Sequence, residues 1–198
     1  MKRIPALIAL LAMMISFSGC STTGSTGSHA DLRSLTPGQA PWQALISKWQ
    51  ERVDEKTLHS LDTDIIQEFK NRVAQEGWSN EMVVEILVKS QKLTRAALDI
   101  EDHWDTPQEF VDRNFEGDCE DIAIFMLATL RTLGYPHQAR ILAAKTMFVD
   151  HALLKVEMPD NTWQVFETTQ AINTKVRLAY TPIVEFDEKR IIFAQNLM

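Results

Sequence analysis

Cysteine is scarce in this 198-residue chain: there are two, Cys20 and Cys119. Exported proteins tend to pair their cysteines, so a chain that uses Cys20 for another purpose leaves Cys119 as an odd thiol, either a packing residue or a reactive group. Basic side chains are also in short supply, 20 against 27 acidic, for a formal charge of −7. Without Lys2 and Arg3 the balance becomes 18 against 27, a charge of −9. A body this acidic excludes nucleic acid as a partner and excludes electrostatic attachment to an anionic membrane. A long apolar stretch is missing too, because the run from Ile4 to Phe17 falls short of the roughly 20 residues that a spanning helix needs. No internal repeat is visible.

What is present begins with the pattern of a bacterial export signal. Lys2 and Arg3 precede the apolar run, and small residues close it at Ser18-Gly19-Cys20. This junction resembles the lipobox of bacterial lipoproteins, with Phe17 where leucine is usual. The resemblance implies a signal peptide over residues 1–19 and acylation of Cys20, so that the membrane is met through a lipid anchor. Ser21 in place of aspartate implies an outer-membrane lipoprotein facing the periplasm, with a plain secreted or periplasmic protein as the alternative. Residues 20–34 are small and polar and read as a flexible tether. Residues 35–198 have the size of one domain.

The first half of that domain has helical periodicity: Trp42, Leu45, Ile46 and Trp49 form one stripe, and Ile65, Ile66, Phe69 and Val73 another. Gly77 is placed to end the second of these helices and Ser79 to cap a third that carries Val83, Ile86 and Leu87. Thr106 followed by Pro107 predicts a further short helix. After Gly117-Asp118, the residues Cys119, Ile122, Ala123, Met126, Leu130 and Leu133 predict a helix from 119 to 133 with one buried face, closed by Gly134 and Pro136. Beyond Pro136 the period changes to two. Strands are expected over Arg140–Met147, His151–Met158, Thr162–Thr168, Arg177–Phe186 and Arg190–Phe193, with a turn at Pro159-Asp160-Asn161. Helices followed by an antiparallel sheet make an α+β fold.

Cys119 stands at the first turn of its helix, where unpaired N–H groups and the helix dipole favour a thiolate and could also hold an oxyanion. A base must then face it. His151 opens a strand expected to pack on this helix, whereas His29, His59 and His137 fall in the tether, a surface helix and a turn; His103 is a weaker competitor. The turn near Asp160 puts Glu167 opposite or diagonal to His151, where a carboxylate would orient the imidazole. A slip of one residue in register would turn it to the other face. Asp118, Glu120 and Asp121 crowd the thiol with negative charge that by itself raises its pKa. They also suit the first turn of a helix, with Asp118 as N-cap.

Gly117-Asp118-Cys119-Glu120-Asp121-Ile122-Ala123, with Trp104-x-Thr106-Pro107-x-Glu109 before it and Gly134 and His151-Ala152-Leu153-Leu154 after it, resembles the bacterial transglutaminase-like cysteine proteinases of the papain-like and transglutaminase superfamily. The likeness runs from about Val83 to Thr168. It implies a papain-like, transglutaminase-like fold with Cys119 as nucleophile, His151 as base and Glu167 where the family usually has aspartate. It further implies calcium on Asp118, Glu120 and Asp121, since carboxylate oxygens suit that ion. Trp104 would line the cleft or frame the oxyanion site, or else be a core tryptophan. No cofactor is needed for the chemistry. The expected activity is cleavage of an envelope protein through an acyl-enzyme, with acyl transfer, amide hydrolysis in peptidoglycan, or a tethered scaffold without turnover as alternatives.

Overall fold

Apolar residues recurring every three or four positions give the first half three helices, local signals end them, and a single further turn stands between the first two. In the computed structural model, which describes residues 39–97, 103–146, 149–169 and 179–194, these are α1 (Ala40–Arg52), α2 (Glu55–Leu58), α3 (Asp64–Glu76) and α4 (Asn80–Leu93). Ile46 and Trp49 of α1, Ile65, Ile66 and Phe69 of α3, and Val83, Ile86 and Leu87 of α4 are buried. Gly77 follows α3 with φ of 76°, a left-handed conformation that costs glycine little. Ser79 caps α4 by accepting from the N–H of Met82 at 3.1 Å. The described residues all belong to one unit, Leu32–Met198. The expected signal, the tether and Cys20 lie outside the described residues, as does Arg177.

Between the helices and the main sheet the chain forms β1 (Arg95–Ala96), α5 (Pro107–Asp112), β2 (Glu116–Gly117) and α6 (Cys119–Thr132). The strands β1 and β2 pair in parallel, Arg95 with Glu116 and Ala96 with Gly117. Sequence patterning does not announce this two-residue pair or the single turn of α2. Thr106 caps α5 with Pro107 at its start, as the sequence leads one to expect, and Glu109 bonds back to complete a reciprocal capping box. Asn114 and Phe115 then take positive φ, 58° and 61°, and turn the chain back toward α6.

The expectation for α6 needs one correction. Every residue from Asp121 to Leu130 is buried, so the helix has no solvated face along this stretch. A helix that is apolar on all sides belongs in the middle of a core. Here α6 packs on α4 and α5 and on the strands β3 and β4.

The second half folds into β3 (Ala139–Lys145), β4 (Asp150–Glu157), β5 (Trp163–Phe166), β6 (Thr181–Phe186) and β7 (Ile191–Phe193), which form an antiparallel five-stranded sheet in the order β5-β4-β3-β6-β7. The chain is therefore α+β, with the Cys119-bearing helix α6 packed on an antiparallel sheet. β4 keeps its expected eight residues one position earlier in the chain, whereas β5 and β7 are shorter than their periodicity suggests, by three residues and by one. Alternation sorts the faces: Ile141, Ala143, Leu154 and Val156 enter the main core, while Leu142, Ala144 and Leu153 form a second small cluster.

Candidate active site

The first residue of α6 is Cys119 and its N-cap is Asp118. The segment is set by Asp121, which has no exposed surface. Its Oδ1 accepts the N–H of Asp105 at 2.8 Å and its Oδ2 the N–H of Asp118 at 3.4 Å. Arg113 offsets the buried charge, with Nη1 2.9 Å from Asp105 Oδ2 and 3.9 Å from Asp121 Oδ2. Gly117 is required by the same packing: a Cβ there would run into the Asp121 carboxylate and come within 2.9 Å of the Phe110 ring.

β4 faces this helix end, and its second residue is His151. The N–H of Ala152 donates to Cys119 Sγ at 3.4 Å, so the thiol lies against the backbone next to His151. The pairing of Leu154 with Phe166 puts Glu167 one step further on, across from Leu153 and diagonal to His151. The diagonal contact forms: His151 Nε2 lies 2.5 Å from Glu167 Oε1. Of the registers open from sequence, this is the one that keeps acid and histidine on one face. Burial disfavours the ionised Glu167, but the hydrogen bond and charge of His151 and the N–H groups of Thr169 and Thr168 outweigh it and hold its carboxyl below the usual range. An ionised carboxylate only accepts, so Nε2 is the ring nitrogen that carries a hydrogen toward Glu167.

The thiol itself departs from expectation. Burial pushes the pKa of Cys119 well up, the charge of Glu120 adds to this, and the N–H of Ala152 opposes both too weakly to reverse them. Its S–H donates to Glu120 Oε2 at 3.2 Å. The helix-end effect that favours a thiolate is overridden here, because a dipole acts as a fraction of a charge while desolvation in a closed site costs more. Glu120 is also raised, by burial first, although hydrogen bonds with Asp118 and Cys119 act the other way.

The structure thus brings Cys119, His151 and Glu167 to one place, with Asp118 and Glu120 beside them. Asp121 sits one turn further in, both its oxygens engaged with backbone. Trp104 is in the main core, stacked on Phe186 with ring centroids 5.4 Å apart and planes 21° apart. Its ring packs, and its carbonyl accepts from Arg52 Nη1 at 2.9 Å. His103 stands apart, 3.7 Å from Asp105. With Asp105 and Glu109 it forms a cluster of metal-ligand type, but Arg113 already pairs with the first carboxylate and Arg52 with the second. Sequence reasoning missed Arg113 and Gln91. The side-chain amide of Gln91 donates to the carbonyls of Glu167 at 2.9 Å and Thr168 at 3.0 Å, and no local pattern marks a polar residue near a helix end for such a contact.

No protein-family model matches the sequence, and no curated protein is similar enough to match. Among solved structures, LapG of Legionella pneumophila aligns at 20% identity over 76% of this chain and 86% of its own, with a TM-score of 0.50. The EGTA-treated LapG gives 19% identity, the same coverage and the same score. A calcium-bound LapG gives 22% identity over 76% of this chain and 88% of its own, with a TM-score of 0.47. The α+β chain with Cys119 heading its central helix therefore has the fold of LapG.

Proposed function

We propose that the protein is a thiol hydrolase of the bacterial envelope that cleaves a protein substrate. The observation that carries the reading is the 2.5 Å contact of His151 with Glu167, made beside a thiol that rests on the N–H of Ala152. His151 Nδ1 takes the proton of Cys119, and the thiolate adds to a backbone carbonyl carbon. The imidazolium then returns the proton to the departing amine as the C–N bond breaks, leaving a thioester. Water, deprotonated by the same nitrogen, releases the acid and restores the thiol. Glu167 stabilises the imidazolium through Nε2. The same residues would serve an acyl transferase or a peptidoglycan amidase.

Glu120 must leave the thiol for this to happen. Asp118 and Glu120 are hydrogen-bonded to each other and flank Cys119, so two carboxyls compete for one small volume. Such a pair fits a hard cation, and we assign calcium to it, with Asp121 holding the turn that presents both. When bound, calcium supplies positive charge beside the thiol. Anchoring through acylated Cys20 and a place facing the periplasm complete the proposal; among the described residues no helix is long and apolar enough to cross a membrane.

The test is the rate of iodoacetamide labelling in a Cys20→Ser chain, across pH, with calcium or EGTA, for wild type and His151→Ala. Labelling that is fast near neutral pH, faster with calcium and lost in His151→Ala is the expected result. Slow labelling under all conditions would favour the second reading, a tethered scaffold without turnover. That reading has one observation of its own, the S–H of Cys119 committed to Glu120.

A further inference from the structure

β5 ends at Phe166, so the strand ladder does not hold the backbone of the next residue, Glu167. The chain bends at 168 and 169. Within that bend Glu167 Oε1 accepts the N–H groups of Thr168 at 3.0 Å and Thr169 at 3.3 Å, contacts that turn with the segment and do not fasten it to anything else. Apart from the contact of Glu167 with His151, three hydrogen bonds from two side chains, Thr168 and Gln91, tie this bend to other elements among the described residues. The hydroxyl of Thr168, a residue that is 1% exposed, donates to the carbonyl of Ala152 at 2.7 Å. The amide of Gln91, 76 residues before Glu167, spans the carbonyls of Glu167 and Thr168.

Gln91 is well placed to hold something still. Ile86 and Leu87, the turn before it, have no exposed surface, and Ser90 Oγ is bonded back to the Ile86 carbonyl at 2.9 Å. The amide therefore projects from a part of α4 whose backbone packing has already fixed, so its bonds cost the rotamer freedom of Gln91 and no further backbone ordering. Glutamate has one more rotatable bond than aspartate. A carboxylate on that longer arm keeps a fixed position only if its backbone does.

We propose that Gln91 is a positioning residue for the catalytic acid: by clamping two successive carbonyls it fixes the bend after β5, keeps Glu167 on His151 Nε2, and so keeps Nδ1 free and aimed as the base. The kinetic consequence rests on the thiol-hydrolase reading, while the structural consequence for the His151–Glu167 hydrogen bond does not. Removing the two donors frees the bend, and Glu167 then samples rotamers that leave the imidazole.

Proton NMR on the full chain tests this. A hydrogen shared between imidazole and carboxylate at this separation resonates far downfield, and Glu167→Gln identifies the signal by abolishing it. Gln91→Met, which keeps the shape and removes the donors, is expected to abolish or shift that resonance upfield and to slow iodoacetamide labelling of Cys119 by up to about 100-fold, the scale of a 1 Å misplacement in a catalytic site. Should Gln91→Met fail to fold, Gln91→Asn keeps the amide, shortens its reach and carries the same expectation. A downfield resonance that stays in place overturns the proposal, even if the melting temperature drops, because Gln91 would then only fasten α4 to the sheet. A resonance lost in the variant of a protein whose wild-type thiol is unreactive upholds the positioning role and sinks the hydrolase reading.

Discussion

At the scale of single residues, two carboxylates of the site, Glu167 and Glu120, act in opposite directions. Glu167 meets a donor on His151 and is held below the usual glutamate range despite its burial, whereas burial raises Glu120, which meets the thiol hydrogen. A carboxyl with a depressed folded pKa contributes stability that is complete above its unfolded value, about 4.3 for glutamate, and is lost as pH falls through the lower folded value. Glu167→Gln should therefore lower the urea midpoint at pH 7, and the gap to wild type should shrink as pH drops below about 4. A gap that stays constant with pH would mean the carboxylate charge plays no part. For Cys119 the sign is opposite, since the Glu120 charge adds to the effect of burial in raising the thiol. In EGTA, Glu120→Gln should move the pH of half-maximal iodoacetamide labelling downward; no movement would show that burial alone sets it.

At the scale of elements, the N-terminus of α6 is built by a few buried contacts, not by its intrinsic helical preference. Asp121 closes the first turn and also holds the N–H of Asp105 in the loop before α5. Asp121→Ala removes a cap and leaves a buried N–H without its acceptor, a loss of about 2 kcal/mol. Thermal melts of wild type and Asp121→Ala in EGTA would measure it, and a change under half a kilocalorie would contradict the role. Gly117→Ala attacks the same junction from β2, where the new methyl group meets the Asp121 carboxylate and the Phe110 ring. Overpacking of this kind costs about 1–3 kcal/mol. Because the displaced residue lies two positions before Cys119, the labelling rate should fall with it.

At the scale of the whole molecule, one aromatic group joins the helical half to the sheet. Phe186 of β6 stacks on Trp104 and meets Trp49 of α1 edge-on at 5.9 Å, and it is 1% exposed. Phe186→Ala should cost about 3–5 kcal/mol, the range for deleting a buried aromatic. The loss is expected to be shared: far-ultraviolet circular dichroism and tryptophan fluorescence should report one coincident transition at a lower denaturant midpoint. Separate transitions would show that helices and sheet unfold independently.

The parts of this protein that its sequence determined are those set by neighbours a few residues apart. Gly77, Ser79, the Thr106-Pro107 start and the Gly134 stop act through bonds within one turn, and each element stands where these residues predict it. The strand alternation and the turn at Asp160 carry His151 and Glu167 to one face for the same reason, because two-residue periodicity and a short turn leave few registers. Only the tertiary structure decided that α6 is buried on all sides, that Trp104 packs on Phe186, that Gln91 reaches Glu167 across 76 positions, and that Cys119 is raised and bonded to Glu120. These depend on which elements meet and how much water they exclude. Desolvation and long-range contact are properties of the packed molecule, and no local pattern of residues encodes them.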